Sequence, residues 1–211
     1  MTVTAIEDYQ THGKKVYLDG IYYFLLYPQE IRRFHITVGQ ELPLALVQKI
    51  DKEIVIRRGK NKAISLLAKA NQTEHSIRMS LTKGQYREDI INCIIEQLIA
   101  YGYINDLQYA KAFIETRAGH YSVKELECKL LKKGVSHDYI QTAFDEVLID
   151  ESEALRRFLR KKGITSIPQD SSKRNQLYAS CYRKGFRIHM VQQVLCQINY
   201  DESCGNNSAN T

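Results

Sequence analysis

The sequence predicts a mainly α-helical protein: tandem three-helix repeats in an elongated curved array, with a small N-terminal α+β module that contains a β-hairpin. The first observation is a Lys-Gly step that occurs three times, with glycines at Gly84, Gly134 and Gly185, 50 and 51 residues apart. A period of this size is typical of arrays in which each repeat buries its apolar face against a neighbour. The second is the dipeptide Asp19-Gly20 between two runs of β-branched and aromatic residues, which predicts a hairpin turn.

Each Lys-Gly step has the composition of a helix end. Glycine is the usual residue at the left-handed position after a helix, and a cation before it complements the negative helix terminus. Six residues after each glycine comes a β-branched apolar residue, Ile90, Ile140 or Val191, from which a new helical stripe continues. We therefore expect the three glycines to be helix C-caps, with function carried by other residues.

Residues 1–58 are predicted to form the N-terminal α+β module. Residues 14–18 and 21–26 would pair in the hairpin, and residues 2–6 could add a third strand. A short helix is expected after Pro28, and a second helix over residues 44–54. The aromatic residues of this module are expected to supply sheet core and a wet face rather than a base-stacking platform: Tyr22, Tyr23, Phe24 and Tyr27.

The remainder of the chain has helical periodicity. Helical repeats are predicted at residues 59–104, 105–149 and 150–199, followed by a disordered tail at 200–211 that is polar and rich in Asn and Ser. The clearest helix start is Ser122-Val-Lys-Glu125, which matches a capping box.

The positive charge is concentrated near the C-terminus. The chain has a formal net charge of +6, and residues 150–211 contain ten basic and six acidic residues. Within residues 154–198 the ten basic residues are accompanied by a single acid, Asp170. Such a patch can bind phosphates or an acidic protein surface in a salt-dependent way, whereas the alternative is an ordinary solvated helix face.

No pattern indicates an active site. Gly59-Lys60 lacks the preceding glycine of a P-loop, the six histidines lack metal-ligand spacing, and Asp106 is best explained as a helix-start residue. The five cysteines include no Cys-x-x-Cys and are expected to be reduced thiols. We therefore expect a non-enzymatic protein without cofactor or metal. We also expect it to be cytoplasmic, since no signal peptide or membrane-spanning run is found.

Three segments carry a resemblance to a known family. They are residues 98–114, which read Leu-Ile-Ala-Tyr-Gly-Tyr-Ile-Asn-Asp-Leu-Gln-Tyr-Ala-Lys-Ala-Phe-Ile; Arg117 followed by Leu126, Lys129, Leu130, Lys133 and Gly134; and Tyr182-Arg-Lys-Gly-Phe-Arg followed by Val191, Val194 and Leu195. Together they resemble the RecX regulatory family over residues 60–198, although Tyr182-Arg183-Lys184 stands where that family has an Arg-rich triplet.

The resemblance implies a non-enzymatic modulator of the RecA recombinase. Family members are helical repeat proteins that lie in the groove of a RecA filament on single-stranded DNA. They inhibit strand exchange, ATP hydrolysis and co-protease activity, and so act in homologous recombination, DNA repair and the SOS response. The implied partners are the RecA filament and, weakly or through the filament, single-stranded DNA, with no membrane and a monomeric protein. An elongated array could bridge neighbouring RecA protomers and so act at sub-equimolar amounts.

The candidate RecA- or DNA-binding residues are all basic, and their expected role is attraction to DNA phosphates or to acidic RecA surface. They are Arg156, Arg157, Arg160, Lys161, Lys173, Arg174, Arg183, Lys184 and Arg187 in the third predicted repeat, and Arg117, Lys124, Lys132 and Lys133 in the second.

Two other classes of protein remain open. A DNA-binding transcription regulator of helix-turn-helix type also has three-helix units and a basic helix, but it would require a dimer and sequence-specific duplex binding. A scaffold for protein partners would bind independently of salt, with the basic patch incidental.

Overall fold

The computed structural model of the chain describes residues 1–10, 12–164 and 166–205. The chain divides into two compact units, Met1–Asn105 and Asp106–Thr211. The described residues are mainly helical, with a small antiparallel sheet at the N-terminus, as the sequence predicted. Within the described ranges, none of the helices has both the length and the apolar character needed to cross a membrane.

The first unit begins with a three-stranded antiparallel sheet. Its strands are β1 (Val3–Tyr9), β2 (Gly13–Leu18) and β3 (Ile21–Leu26), paired in the order β1-β2-β3. Asp19 and Gly20 have φ angles of 49° and 81°, the left-handed conformations that a type I′ hairpin turn requires. The predicted hairpin and third strand are therefore both present.

Helices follow the sheet and share one hydrophobic core with it. They are α1 (Pro28–Arg33), α2 (Leu44–Ile50), a π-helical segment (Asp51–Ile56), α3 (Arg57–Lys69), α4 (Glu74–Lys83) and α5 (Glu88–Ala100). Buried residues of this core extend from Val3 in β1 to Ile104 after α5, so the sheet and the helices are not separate hydrophobic bodies.

The helical stretch from α2 through the π-helical segment to α3 has no break. The sequence analysis instead expected a helix ending near residue 54 and a module boundary between residues 58 and 59. Gly59 lies inside α3 and makes no turn. A Cβ at this position would meet Ile94 Cδ1 at 2.5 Å and Tyr86 Cε1 at 3.0 Å. The glycine lets α3 approach α5 closely.

The second unit contains only helices among its described residues: α6 (Asp106–Arg117), α7 (Val123–Lys132), α8 (His137–Glu146), α9 (Ser152–Lys161), α10 (Ser171–Arg183) and α11 (Ile188–Gly205). Two hydrophobic cores form, one among α6, α7 and α8 and one among α9, α10 and α11. Helix α11 extends to Gly205, beyond the predicted start of the tail at residue 200. The rest of that predicted tail, residues 206–211, lies outside the described residues.

Two of the three predicted glycine C-caps have the expected conformation. Gly134 and Gly185 have φ angles of 79° and 94°. The residue after each glycine donates its N–H back into the preceding helix. Val135 donates to the Leu130 carbonyl at 3.2 Å, and Phe186 donates to the Cys181 carbonyl at 3.1 Å. This is the hydrogen bond of a Schellman motif.

Gly84 is the C-cap of α4, as predicted, but it does not take the left-handed conformation. Gly84 has a φ of −80°, and its neighbour Gln85, with a φ of 61°, takes the left-handed position instead. Helix α4 continues to Lys83, so this turn lies one residue later than the turns at Gly134 and Gly185 do relative to their glycines. As a result Ile91, rather than Ile90, donates its N–H to the Arg87 carbonyl at the start of α5. Tertiary contact favours this conformation, because the hydroxyl of Tyr22 donates to the Gln85 carbonyl at 2.5 Å.

Arg87 connects the sheet, the π-helical segment and α5. Its guanidinium donates to Asp51 at 3.0 Å, to Asp89 at 2.7 Å and to the carbonyl of Tyr23 at 2.9 Å, and lies 3.8 Å from the centre of the Tyr23 ring. Burial raises the pKa of the Asp51 carboxyl, and the hydrogen bond from Arg87 opposes this rise. A hydrogen bond from the same guanidinium lowers the pKa of Asp89.

We expect Arg87→Met to destabilise the first unit strongly. The side chains of Arg87 and Asp51 are only 15% and 14% exposed, so the substitution leaves a largely shielded carboxylate without its partner. Such losses cost about 3–5 kcal/mol. Urea unfolding followed by circular dichroism would measure the change.

The matched control is Arg33→Met, which removes an exposed ion pair to Glu53 with 62% and 40% exposed side chains. Exposed pairs contribute about 1 kcal/mol or less. Equal destabilisation by both substitutions would contradict a central role for Arg87.

Candidate functional site

The predicted basic patch begins on α9, which has two chemically different faces. Ala154, Leu155 and Leu159 are buried in the core of α9, α10 and α11. Arg160 and Lys161, on the opposite face, are exposed. This division places the cations of α9 at the surface of the second unit.

A groove lies where α9 approaches the start of α7, and we call it the α7–α9 groove. Its volume is about 330 Å³. The lining residues come from both three-helix groups of the second unit: His120, Tyr121, Glu125, Ala154, Arg157, Phe158, Lys161, Lys162, Lys184 and Phe186. The floor is therefore aromatic and apolar, and most of the charged lining residues are basic.

The groove brings together three of the predicted binding residues, Arg157, Lys161 and Lys184. The other lining residues were not selected by the sequence analysis, and among them His120 and Lys162 have nitrogen-containing side chains that can carry positive charge. Lys162 could have been chosen, because it ends the same basic run. No sequence signal identifies His120, which is 37 positions away from Arg157 in the chain.

Several of the predicted cations already have partners within the protein. Arg157 lies 3.2 Å from the Glu153 carboxylate, and Arg160 lies 3.6 Å from the same group. Arg157 also contacts the His120 ring nitrogens at 2.9 and 3.2 Å. Because Glu153 precedes the stretch counted in the sequence analysis by one residue, that count overstated the free positive charge of α9.

The remaining predicted residues do not line the groove. Arg156 donates to Gln197 on α11 at 2.7 Å, and the Arg117 guanidinium lies 4.7 Å from the centre of the Phe113 ring. Arg174 is half-buried. The others have exposed side chains on α7, α10 and the turns that follow them: Lys124, Lys132, Lys133, Lys173, Arg183 and Arg187.

The turn after α10 packs directly on the start of α7 and fixes one wall of the groove. Ser122, completely buried, accepts the Glu125 N–H at 3.2 Å as the N-cap of α7, and its hydroxyl donates to the Lys184 carbonyl at 2.5 Å. The Lys184 ammonium donates to Glu125 at 2.8 Å. The predicted Ser122 cap is thus present. The Glu125 carboxylate pairs with Lys184, in the turn between α10 and α11.

Gly185 allows this close contact. A Cβ at Gly185 would lie 2.6 Å from Lys124 Cβ and 2.8 Å from Ser122 Oγ, and the residue has a φ of +94°. The glycine thus has both a conformational and a packing role.

We expect Gly185→Ala to destabilise the second unit more than Gly134→Ala does. Both substitutions force an L-residue into the left-handed region, at a cost of about 1–2 kcal/mol. Gly185→Ala also introduces the two contacts below 3.0 Å, and overpacking of this kind adds about 1–3 kcal/mol. Thermal unfolding of the two variants tests the difference; equal losses would mean that the turn and α7 are not in contact in solution.

Cys181 is a buried thiol in the core formed by α9, α10 and α11. Burial raises the pKa of the Cys181 thiol to about 11, so the thiol is protonated at neutral pH. Among residues 1–10, 12–164 and 166–205, no group of three or more His, Cys, Asp or Glu side chains could hold a metal ion.

Comparisons with known proteins give a consistent class. No protein-family model matches the chain. The chain is 24% identical over 210 residues to the regulatory protein RecX of Clostridioides difficile, covering 95% of this chain and 97% of the relative. It is 26% identical over 200 residues to the regulatory protein RecX of Caldanaerobacter subterraneus, covering 92% and 98%.

Solved structures show the same fold. A crystal structure of regulatory protein RecX matches with a TM-score of 0.60 at 20% identity, covering 92% of this chain and 98% of that one. The RecX structure from Lactobacillus salivarius matches with a TM-score of 0.57 at 22% identity, covering 69% and 97%. The chain is therefore similar, in fold and in sequence, to mainly helical proteins that are named regulatory proteins.

These relatives and structures carry the name of the family that the sequence resembles. Similarity to the RecX regulatory proteins extends along nearly the whole chain, which confirms the resemblance to the RecX family.

Proposed function

We propose that this protein is a non-enzymatic regulator that binds the RecA recombinase on single-stranded DNA and inhibits its strand exchange, ATP hydrolysis and co-protease activity. It would act in the cytoplasm as a monomer, in DNA repair and the SOS response. The single observation that carries the proposal is the similarity to RecX regulatory proteins over 95% of this chain and 97% of a relative. Matches that span both chains support a shared role more strongly than a match to one segment does.

The basic residues of the second unit are the proposed contact surface. Support comes from their exposure: Lys173, Arg183 and Arg187 lie at the surface of α10 and the turn after it. Arginine and lysine at such positions attract DNA phosphates and acidic protein surfaces. The residues proposed to contribute are those predicted from the sequence: Arg117, Lys124, Lys132, Lys133, Arg156, Arg157, Arg160, Lys161, Lys173, Arg174, Arg183, Lys184 and Arg187.

The proposal includes a repeat organisation of residues 59–104, 105–149 and 150–199. The turns after α4, α7 and α10 support it, because each places one residue in the left-handed region and returns an N–H to the preceding helix. The residues in this position are Gln85, Gly134 and Gly185. A recurrent turn followed by a new helix is what repeated three-helix units require.

Single-strand-dependent ATP hydrolysis by the cognate RecA tests the function. We expect hydrolysis to fall as this protein is added from well below equimolar amounts, since one bound regulator can stop the addition of further RecA protomers. Absence of any effect, together with tight binding to a specific duplex, would contradict the proposal and favour the helix-turn-helix regulator.

The variant Arg156→Glu/Arg157→Glu/Arg160→Glu tests the surface. Reversing three charges on α9 should shift the inhibitory concentration upward by about tenfold or more, since each lost contact to an acidic partner contributes roughly 0.5–1 kcal/mol. The control variant Lys52→Glu/Arg57→Glu/Lys69→Glu makes the same charge change at exposed positions of the first unit. Equal weakening by both variants, with circular dichroism unchanged, would show a net-charge effect and place the site elsewhere.

A further inference from the structure

We propose that the α7–α9 groove binds an acidic peptide segment of a partner protein, with one apolar side chain of the segment inserted between the helices. The proposal rests on the proposed function only in requiring a protein partner. It adds an apolar anchor to an interaction that the basic residues alone would make purely electrostatic.

The floor of the groove is suited to an apolar side chain. Phe158 and Phe186 pack with their ring centres 5.9 Å apart and their planes tilted by 39°, and Ala154 and Tyr121 complete the lining. The volume of about 330 Å³ is near the lower end of the range for ligand pockets, about 300–1,000 Å³. A groove of this size accommodates one anchor side chain with adjacent backbone.

The rim of the groove is suited to carboxylates on either side of that anchor. Lys161 makes no ion pair with any described residue, and the ammonium of the exposed Lys162 lies 5.5 Å from the centre of the Phe158 ring. Glu125 holds Lys184 in place, and His120 and Glu153 hold Arg157. The positions of these two cations are therefore set before a ligand arrives. Fixed and free cations around an apolar centre complement an acidic segment and exclude a basic one.

The same contacts disfavour a nucleobase as the occupant. Base recognition in single-stranded nucleic acid needs open aromatic faces. Here Lys162 lies over one face of Phe158 and Lys129 lies 4.3 Å from the centre of the Tyr121 ring, while Phe186 is only 2% exposed. An aliphatic or aromatic side chain that contacts ring edges needs no such open face.

Fluorescence anisotropy with the full-length protein tests the site. The probe is a labelled twelve-residue peptide of Asp and Glu with a central Leu-Phe pair, and the comparison is the same peptide with Ser-Ser in place of Leu-Phe. We expect the anchored peptide to bind at least about tenfold more tightly, because only it fills the apolar floor. Since this change is made in the ligand, it cannot affect folding of the protein.

A pair of variants locates the binding. Lys161→Glu/Lys162→Glu should weaken binding of the anchored peptide by about tenfold or more, whereas Lys52→Glu/Lys69→Glu, which reverses two exposed charges of the first unit, should change it less than about twofold. Equal binding of the two peptides would overturn the proposal, as would equal effects of the two variants. Oligothymidylate that competes fully with the anchored peptide at this site would overturn it in favour of nucleic acid.

The RecA assay separates failure of this proposal from failure of the proposed function. If the unaltered protein and the Lys161→Glu/Lys162→Glu variant inhibit ATP hydrolysis equally and the peptide does not bind, the groove proposal fails while the regulatory function remains supported. If the unaltered protein does not inhibit at all, the regulatory function fails, whatever the peptide result.

Discussion

The contact between the turn at Gly185 and the buried start of α7 determines the architecture of the second unit. The two hydrophobic cores of this unit are separate, so a small polar contact has to join them. Ser122 satisfies the first turn of α7 and the carbonyl of Lys184, in the turn after α10, with one hydroxyl, and Glu151 accepts the Val123 N–H at 2.5 Å. Burial of these groups without partners would cost free energy, so their pairing makes one relative position of the helix groups preferred.

The α7–α9 groove follows from that contact. Lys184 supplies a backbone carbonyl to Ser122 and an ammonium group to Glu125, so the same residue joins the helix groups and lines the groove. His120 lies just before α7 and Arg157 on α9, and they meet across it. The groove is therefore a product of packing between the two helix groups, and neither group would form it alone.

Much of the fold could be predicted from local chemistry. Asp19-Gly20 specifies its turn, and Ser122 caps α7, because each depends on a few neighbouring residues. The close packing at Gly59 and the conformation of Gln85 could not be predicted, since they involve distant partners, Ile94 in one case and Tyr22 in the other.

The candidate site was predictable to a smaller extent. The basic run on α9 was visible in the sequence, and Arg157, Lys161 and Lys184 do line one groove. The aromatic floor was not, because Phe158 and Phe186 have the spacing of ordinary core residues, and only the packed structure leaves them partly lining a surface. The ion pairs within the protein were also missed. Glu125 pairs with Lys184, which is distant in sequence, and Glu153 pairs with Arg157 on the next helical turn.

The π-helical segment Asp51–Ile56 has a consequence for comparing this chain with its relatives. A π-helical turn holds one residue more than an α-helical turn, and such turns arise when a single residue is inserted into a helix. Each residue of an α-helix rotates the next side chain by about 100°, so an insertion absorbed here leaves the faces before and after it correctly directed. Ile50 and Ala63 are both completely buried on either side of the segment. An alignment gap in a relative that lacks this residue therefore belongs inside residues 51–56, although no loop is present there.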